Sequence, residues 1–236
     1  MTMKLALTVL LAGAAMAQIE QAQSGAAALK ESLALNQAKL RAYSWIEATQ
    51  ISLKGEVKKE EQKQCHYGPD GKVQKASIGG SPSSTPQKQS GGDGKRGGRL
   101  KEKIVENKVD ELKEYMERVA ALVHEYVPPD GQRIQAAQAA GKVAAQPAGS
   151  TLNLTVKDYA KMGDSLAIGL DTAAKQLTSC NVQSYVEKPK DDDVTLNVTF
   201  GRLQDGTSYP QQVLLDAPAK KIQVKVTNSG YKKTAS

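Results

Sequence analysis

Val194-Thr195-Leu196-Asn197-Val198-Thr199-Phe200 carries an apolar side chain at every even position and Thr or Asn between them. Successive side chains of a β-strand point to opposite faces, so this stretch reads as a strand with one buried face and one wet face. The rhythm recurs on both sides of it. Leu152, Leu154 and Val156 alternate with Thr151, Asn153 and Thr155, and Leu166, Ile168 and Leu170 alternate with Ala167, Gly169 and Asp171. Downstream, Asp205-Gly206 supplies a hairpin turn before a strand over 209–215, and Ile222, Val224 and Val226 alternate with Lys221, Gln223 and Lys225. Upstream, Tyr43, Trp45, Ile51, Leu53 and Val57 share one parity, which reads as a single strand running on through Gly55-Glu56. Gly68-Pro69-Asp70-Gly71 then folds 61–67 back onto 72–76. Only 175–188 is long, mixed and without a clear period.

Helical spacing separates these runs. Leu29, Leu33 and Leu40 among alanines predict a helix over 26–41, and Leu100, Ile104, Val109, Leu112, Met116, Val119 and Val123 predict a longer one over 100–127. Pro128-Pro129-Asp130-Gly131 stops that helix, because proline removes an amide donor and clashes with the preceding turn. An alanine-rich second helix is expected over 133–145. About eight strands, each with one apolar face, need a cover, and the helices are available to provide it. The expected fold is α+β: a strongly curved antiparallel sheet, an incomplete barrel, covered on its apolar face by two or three helices. Between strands and long helix, 79–98 is almost entirely Gly, Ser, Pro, Gln and Lys, a composition that buries too little to offset its ordering entropy, and reads as a flexible loop.

The first residues set an expectation about compartment. Lys4, an apolar run from Leu5 to Ala12 and Ala15-Met16-Ala17 form a signal-peptide pattern over 1–17, leaving one domain over 18–236 that is periplasmic or secreted. Disulfides persist in such places. Cys65 and Cys180 are the two cysteines, and either a bond between them or two isolated buried thiols fits the sequence. The net charge of +7 suits peripheral contact with an anionic membrane surface. Aromatic residues at 4% argue against stacked platforms for bases, and no nucleic acid is expected.

No catalytic signature is present. His66 and His124 are the only histidines, and they lack paired ligand spacing with the two cysteines. Asp191-Asp192-Asp193 lacks the alternation of a calcium loop and reads as a charged turn. Gly94-Lys95 is followed by Arg96 where a phosphate loop needs Ser or Thr. Neither enzyme activity, cofactor nor metal is therefore expected. Asn153-Leu154-Thr155 and Asn197-Val198-Thr199 match the glycosylation sequon, but both sit in mid-strand.

A sheet that is covered rather than closed leaves room for an apolar ligand. The residues expected to line such a space are Tyr43, Trp45, Ile51, Leu53, Leu152, Leu154, Val156, Leu166, Ile168, Leu170, Val194, Leu196 and Val198. A filled interior would make the same residues purely structural. The signal pattern, the N-terminal helix, the strand from Tyr43-Ser44-Trp45, the helical insert and the ending Tyr209-Pro210-Gln211-Gln212-Val213-Leu214-Leu215 with Lys221-Ile222-Gln223-Val224-Lys225-Val226 together resemble the periplasmic lipoprotein carriers of the LolA and LolB type. The resemblance implies an incomplete antiparallel barrel with a helical cap that holds a lipid or lipoprotein acyl chain on its way to the outer membrane. Two departures stand out: the 79–98 stretch is extra, and no Lys-Arg-Pro-type segment follows the first strand to supply the cavity arginine of that family. The alternative is an exported envelope protein with a filled core and no small-molecule ligand.

Overall fold

The structure is a computed structural model that describes residue 27 and residues 29–78 and 98–234. The signal-peptide reading falls outside these residues, as does the expected loop over 79–98 except for Gly98, which opens a helix.

Helix α1 spans 29–40. It leads into β1 (Tyr43–Leu53), β2 (Glu56–Tyr67) and β3 (Val73–Ser77). Two helices follow, α2 (Gly98–Tyr126) and α3 (Gly131–Ala139). The chain then runs through β4 (Val143–Ala148), β5 (Thr151–Lys157), β6 (Ser165–Asp171), β7 (Gln176–Tyr185), β8 (Asp193–Arg202), β9 (Ser208–Ala217) and β10 (Ile222–Lys233). All ten strands form one antiparallel sheet in the order β3-β2-β1-β10-β9-β8-β7-β6-β5-β4. It is open, with β3 and β4 as its edges among the described residues. Every neighbour in that order is also a neighbour in sequence except one, the pairing of β1 with β10.

Register keeps the two faces apart. Val156, Leu166, Val182, Leu196, Leu215, Val224 and Ile51 are successive cross-strand partners from β5 round to β1. The neighbouring row on the other face reads Thr155, Ala167, Asn181, Asn197, Leu214, Lys225 and Gln50. From β5 to β9 the apolar row belongs to the core, where Leu154, Val156, Leu166, Ile168, Leu170, Cys180, Leu196, Val198 and Leu215 form one cluster with Leu29 of α1, Tyr115, Val119 and Tyr126 of α2, and Ile134 of α3.

Buried polar contacts fix the helices to the strand ends. Tyr126 donates its hydroxyl to Asp164 and lies 2.9 Å from the Ser184 hydroxyl, while Asp164 also accepts from the backbone amides of Tyr159, Ala160 and Lys161. Tyr115 donates to Asp192 at 3.0 Å, so the middle residue of the aspartate run anchors α2. On α1, Asn36 exchanges two hydrogen bonds with the backbone of Ser208, at 2.6 and 2.7 Å.

Three expectations need correction, and of the two readings of the cysteines the structure has one. The first long strand is a hairpin: Lys54 and Gly55 take φ of 55° and 81°, the conformation a two-residue primed turn requires, so Val57 lies on β2 and is exposed. A Lys-Gly pair is a weaker turn signal than Asn-Gly, which is why the strands read as one. The alanine-rich helix ends early, because Gly141 adopts φ 70° and Lys142 N–H bonds back to the Ala137 carbonyl, after which 143–148 is strand. The mixed stretch holds β7, whose alternation is broken by a bulge: Leu177 faces Leu170, but Cys180 and not Ser179 faces Ile168. Ten strands therefore replace about eight. Finally, Cys65 and Cys180 are free and buried. They lie on β2 and β7, five strand spacings or about 24 Å apart along the sheet, whereas a disulfide needs Cα atoms within about 7 Å.

Candidate ligand-binding site

The apolar face is not packed evenly. Along β5 to β8 nearly all its residues are buried, and Leu215 and Ala217 of β9 and Ile222 of β10 continue that packing, yet Val213, Val224, Val226, Ile51 and Leu53 in the same rows are only half-buried. These side chains form a strip, since Ile51 faces Val224, Leu53 faces Ile222 and Val226 faces Val213.

At one end the strip meets a group of rings. Trp45 lies 5.6 Å from Tyr231 with the rings nearly parallel, and 5.5 Å from Tyr67; Tyr209 is 4.3 Å from Tyr231, and Tyr43 meets Tyr231 edge-on at 6.3 Å. The chain has one Trp and eight Tyr, so half of the tyrosines join the only tryptophan here. Composition alone gives no sign of such a group; strand register assembles it from β1, β2, β9 and β10. A shift in the β1–β10 pairing between Ser44 and Ile46, with Gly230 at φ 62°, brings Tyr231 onto the Trp45 side. Burial pushes the Tyr231 phenol far up, helped by the neighbouring Tyr67 and Tyr209, and burial likewise raises the Tyr67 phenol. The Cys65 thiol is raised by burial and then by Glu47. All three stay uncharged at neutral pH.

Between strip and rings lies a polar row. Glu47 is the register partner of Lys63 on β2 and of Asn228 on β10. Its two carboxylate oxygens accept from Lys75 Nζ at 2.7 and 2.8 Å. Glu61 takes Lys63 at 2.8 Å and Lys59 at 2.9 Å, and these lysines, Lys63 first, hold its carboxyl below the usual range. The charges facing the strip are thus paired with each other. Asn228 is 7% exposed; its amide nitrogen donates to the Pro210 carbonyl at 2.8 Å, while its Oδ1 is buried with no partner among the described residues.

Of the residues expected to line an apolar space, Leu152, Leu154, Val156, Leu166, Ile168, Leu170, Val194, Leu196 and Val198 all lie in the main cluster. Leu53 packs against it from the half-buried strip, with Ile51 alongside. Tyr43 and Trp45 are buried in the aromatic group instead, outside that cluster. Glu47, Asn228, Tyr67, Tyr209 and Tyr231 were not singled out from the sequence. Nothing in their spacing joins them; only the β1–β10 register could have done so.

Open clefts lie elsewhere. One of about 490 Å³ runs between α2 and the 186–192 turn, with Tyr115 and Asp192 in its wall and Arg118 bound to Glu187 at 3.2 Å. Another of about 410 Å³ sits at the β1–β2 turn and takes in Ile222 from the end of the strip. A third, about 180 Å³, lies between α1 and the turns before β7 and β9. His66 and His124 are exposed on β2 and α2. Among the described residues no helix is long and apolar enough to cross a membrane.

No family model matches the chain. None of the curated proteins matches it either. Among solved structures, the chain is similar to a DUF1329 family protein from Desulfovibrio piger ATCC 29098, with 11% identity over 91% of this chain and 94% of that one and a TM-score of 0.41.

Proposed function

We propose that the protein is an exported, non-enzymatic binding protein that holds an apolar chain, such as a lipid or lipoprotein acyl chain, against the half-buried strip of β9, β10 and β1. The observation that carries this reading is the interruption in packing. One apolar face is buried along most of β5 to β8 and at Leu215, Ala217 and Ile222, and only half-buried where Val213, Val224, Ile51 and Leu53 continue it. A ligand there would gain about 0.8 kcal/mol for each methylene taken out of water. The signal pattern over 1–17 and the resemblance to the LolA and LolB carriers support export and an acyl-chain ligand, and in that picture the three helices form the cover of a curved sheet. The binding residues shift accordingly, away from Leu154 and Ile168, which are packed, and toward the strip.

A second reading, an envelope interaction protein with a filled core, is favoured by one fact: Leu154, Val156, Leu166 and Ile168 are essentially inaccessible within the cluster. Native mass spectrometry of protein secreted to a periplasm and purified without detergent separates the two. A co-purified lipid that is lost in Val224→Glu supports the acyl-chain reading. A clean apo mass, with no uptake of added fatty acid or phospholipid, overturns it in favour of the second.

A further inference from the structure

The strip ends at a hydrogen-bond acceptor that no described residue satisfies. From Leu53 and Ile51 the face runs through Thr49 to Glu47, and opposite them β10 runs Ile222, Val224, Val226, Asn228. Buried polar groups are as a rule paired, and one that is not calls for a reason. Asn228 keeps its amide nitrogen on the Pro210 carbonyl, which fixes the side chain and leaves Oδ1 as the free atom. The surrounding charges do not supply its donor. Lys75 is held by Glu47, and Lys63 by Glu61, at 2.7 and 2.8 Å. Glu47 takes Lys75 and Glu61 takes both Lys63 and Lys59, so no carboxylate is spare to receive a cationic head, and an anionic head without a donor leaves Asn228 Oδ1 unsatisfied.

We infer that the ligand of this strip is an uncharged amphiphile whose head group donates a hydrogen bond, through a hydroxyl or amide, to Asn228 Oδ1, with its tail along Val226, Val224 and Ile51. This rests on the binding reading given above and names its ligand class. Half-buried rings stand beside the acceptor: Tyr209 adjoins Pro210, and Tyr231 lies three residues beyond Asn228, past the irregular turn of backbone at Gly230. A sugar-like or glycerol head held at Asn228 packs against these aromatic faces. Four tyrosines and Trp45 at the head end, with aliphatic side chains along the rest, match an amphiphile with its polar end at Asn228.

The test uses three probes with the same dodecanoyl tail: glycerol monolaurate, which donates through hydroxyls; methyl laurate, which is neutral and cannot donate; and laurate, which is anionic. Trp45 is the only tryptophan, so its emission reports on this end of the strip alone; calorimetry gives the affinities. The expected result is glycerol monolaurate binding about tenfold more tightly than methyl laurate and laurate, the size of one hydrogen bond made to a buried acceptor. In Asn228→Leu, with folding checked by circular dichroism and melting temperature, that preference disappears while tail binding stays. Equal affinity for the three probes overturns the head-group inference and leaves the acyl-chain reading standing. Tightest binding of laurate overturns the inference in favour of an anionic head. No binding of any probe overturns both. The probe series on the unmodified protein decides the matter even if Asn228→Leu fails to fold.

Discussion

The two halves of one sheet face use the same kind of residue to different ends. On β5 to β8, Leu154, Val156, Leu166 and Ile168 share a buried cluster with side chains of all three helices. On β9, β10 and β1, Val213, Val224, Val226 and Ile51 of the same parity are half-buried beside the buried Leu215 and Ile222, and run up to a polar row and a group of rings. Alternation is therefore evidence of a face, and packing decides what the face is for. A residue such as Val224 contributes less to stability than Leu154 because part of its surface stays in water in the folded state, and that remaining surface is what a ligand could take up.

Cavity-forming substitutions break the comparison most directly. Leu154→Ala should cost about 2–5 kcal/mol in urea unfolding, the range for a fully buried aliphatic residue. Val224→Ala should cost about 1 kcal/mol, since its two lost carbons are already partly hydrated. Equal losses at the two sites would mean that the halves are packed alike. Next in size is the anchor of α2: Tyr126→Phe removes a donor from Asp164 and a partner from Ser184, and should cost about 1–3 kcal/mol. A variant as stable as the parent would show that this buried network holds nothing in place.

Alkaline pH sharpens the contrast through Cys180. Burial pushes this thiol up to about 12 from an ordinary 9.0. Above pH 9 the unfolded chain releases a proton that the folded chain keeps, so the thiol's stabilising contribution is whole below 9 and is lost progressively up to 12. The loss is at most about 1.4 kcal/mol per pH unit. The buried phenols of Tyr115 and Tyr126 are raised as well and act with the same sign at higher pH. Melting temperatures should fall from pH 9 upward, and Cys180→Val should flatten the fall between pH 9 and 10. An unchanged slope in the variant would remove Cys180 from the account. The smallest effect is expected at the other end of the sheet, where Lys75→Met opens the partly exposed pair with Glu47. Pairs of this kind are worth about 1 kcal/mol or less, so a chemical-denaturation midpoint close to the parent's is the expected result.

Most of the sheet could be read from residue types because strands with one wet face advertise themselves. Leu152 to Val156, Leu166 to Leu170 and Val194 to Val198 lie where their parity put them. What escaped was irregularity. The extra residue at Thr178 shifts Leu177 and Cys180 out of phase, so β7 shows no period although it pairs on both sides. The strand β4 follows a helix of the same alanine-rich composition, and only the left-handed Gly141 separates them. The candidate site was half legible. Ile51 and Leu53 follow from parity, but Asn228 and Tyr231 enter through the register of β1 against β10, a pairing between segments about 180 residues apart that no local pattern records.

That pairing also orders the assembly of the sheet. Strands β1 to β3 form one meander and β4 to β10 another, and each can zip up from hairpins that close short loops. They join only where β1 meets β10, so the first meander waits for the tenth strand before it has a partner. Until then β1 presents an unpaired edge carrying Trp45, Ile51 and Leu53, and closing a loop this long delays the docking step. During synthesis the N-terminal hairpins thus stay without their β10 partner until the chain is nearly complete, and the part of the strip that spans β1 and β10 cannot form before then.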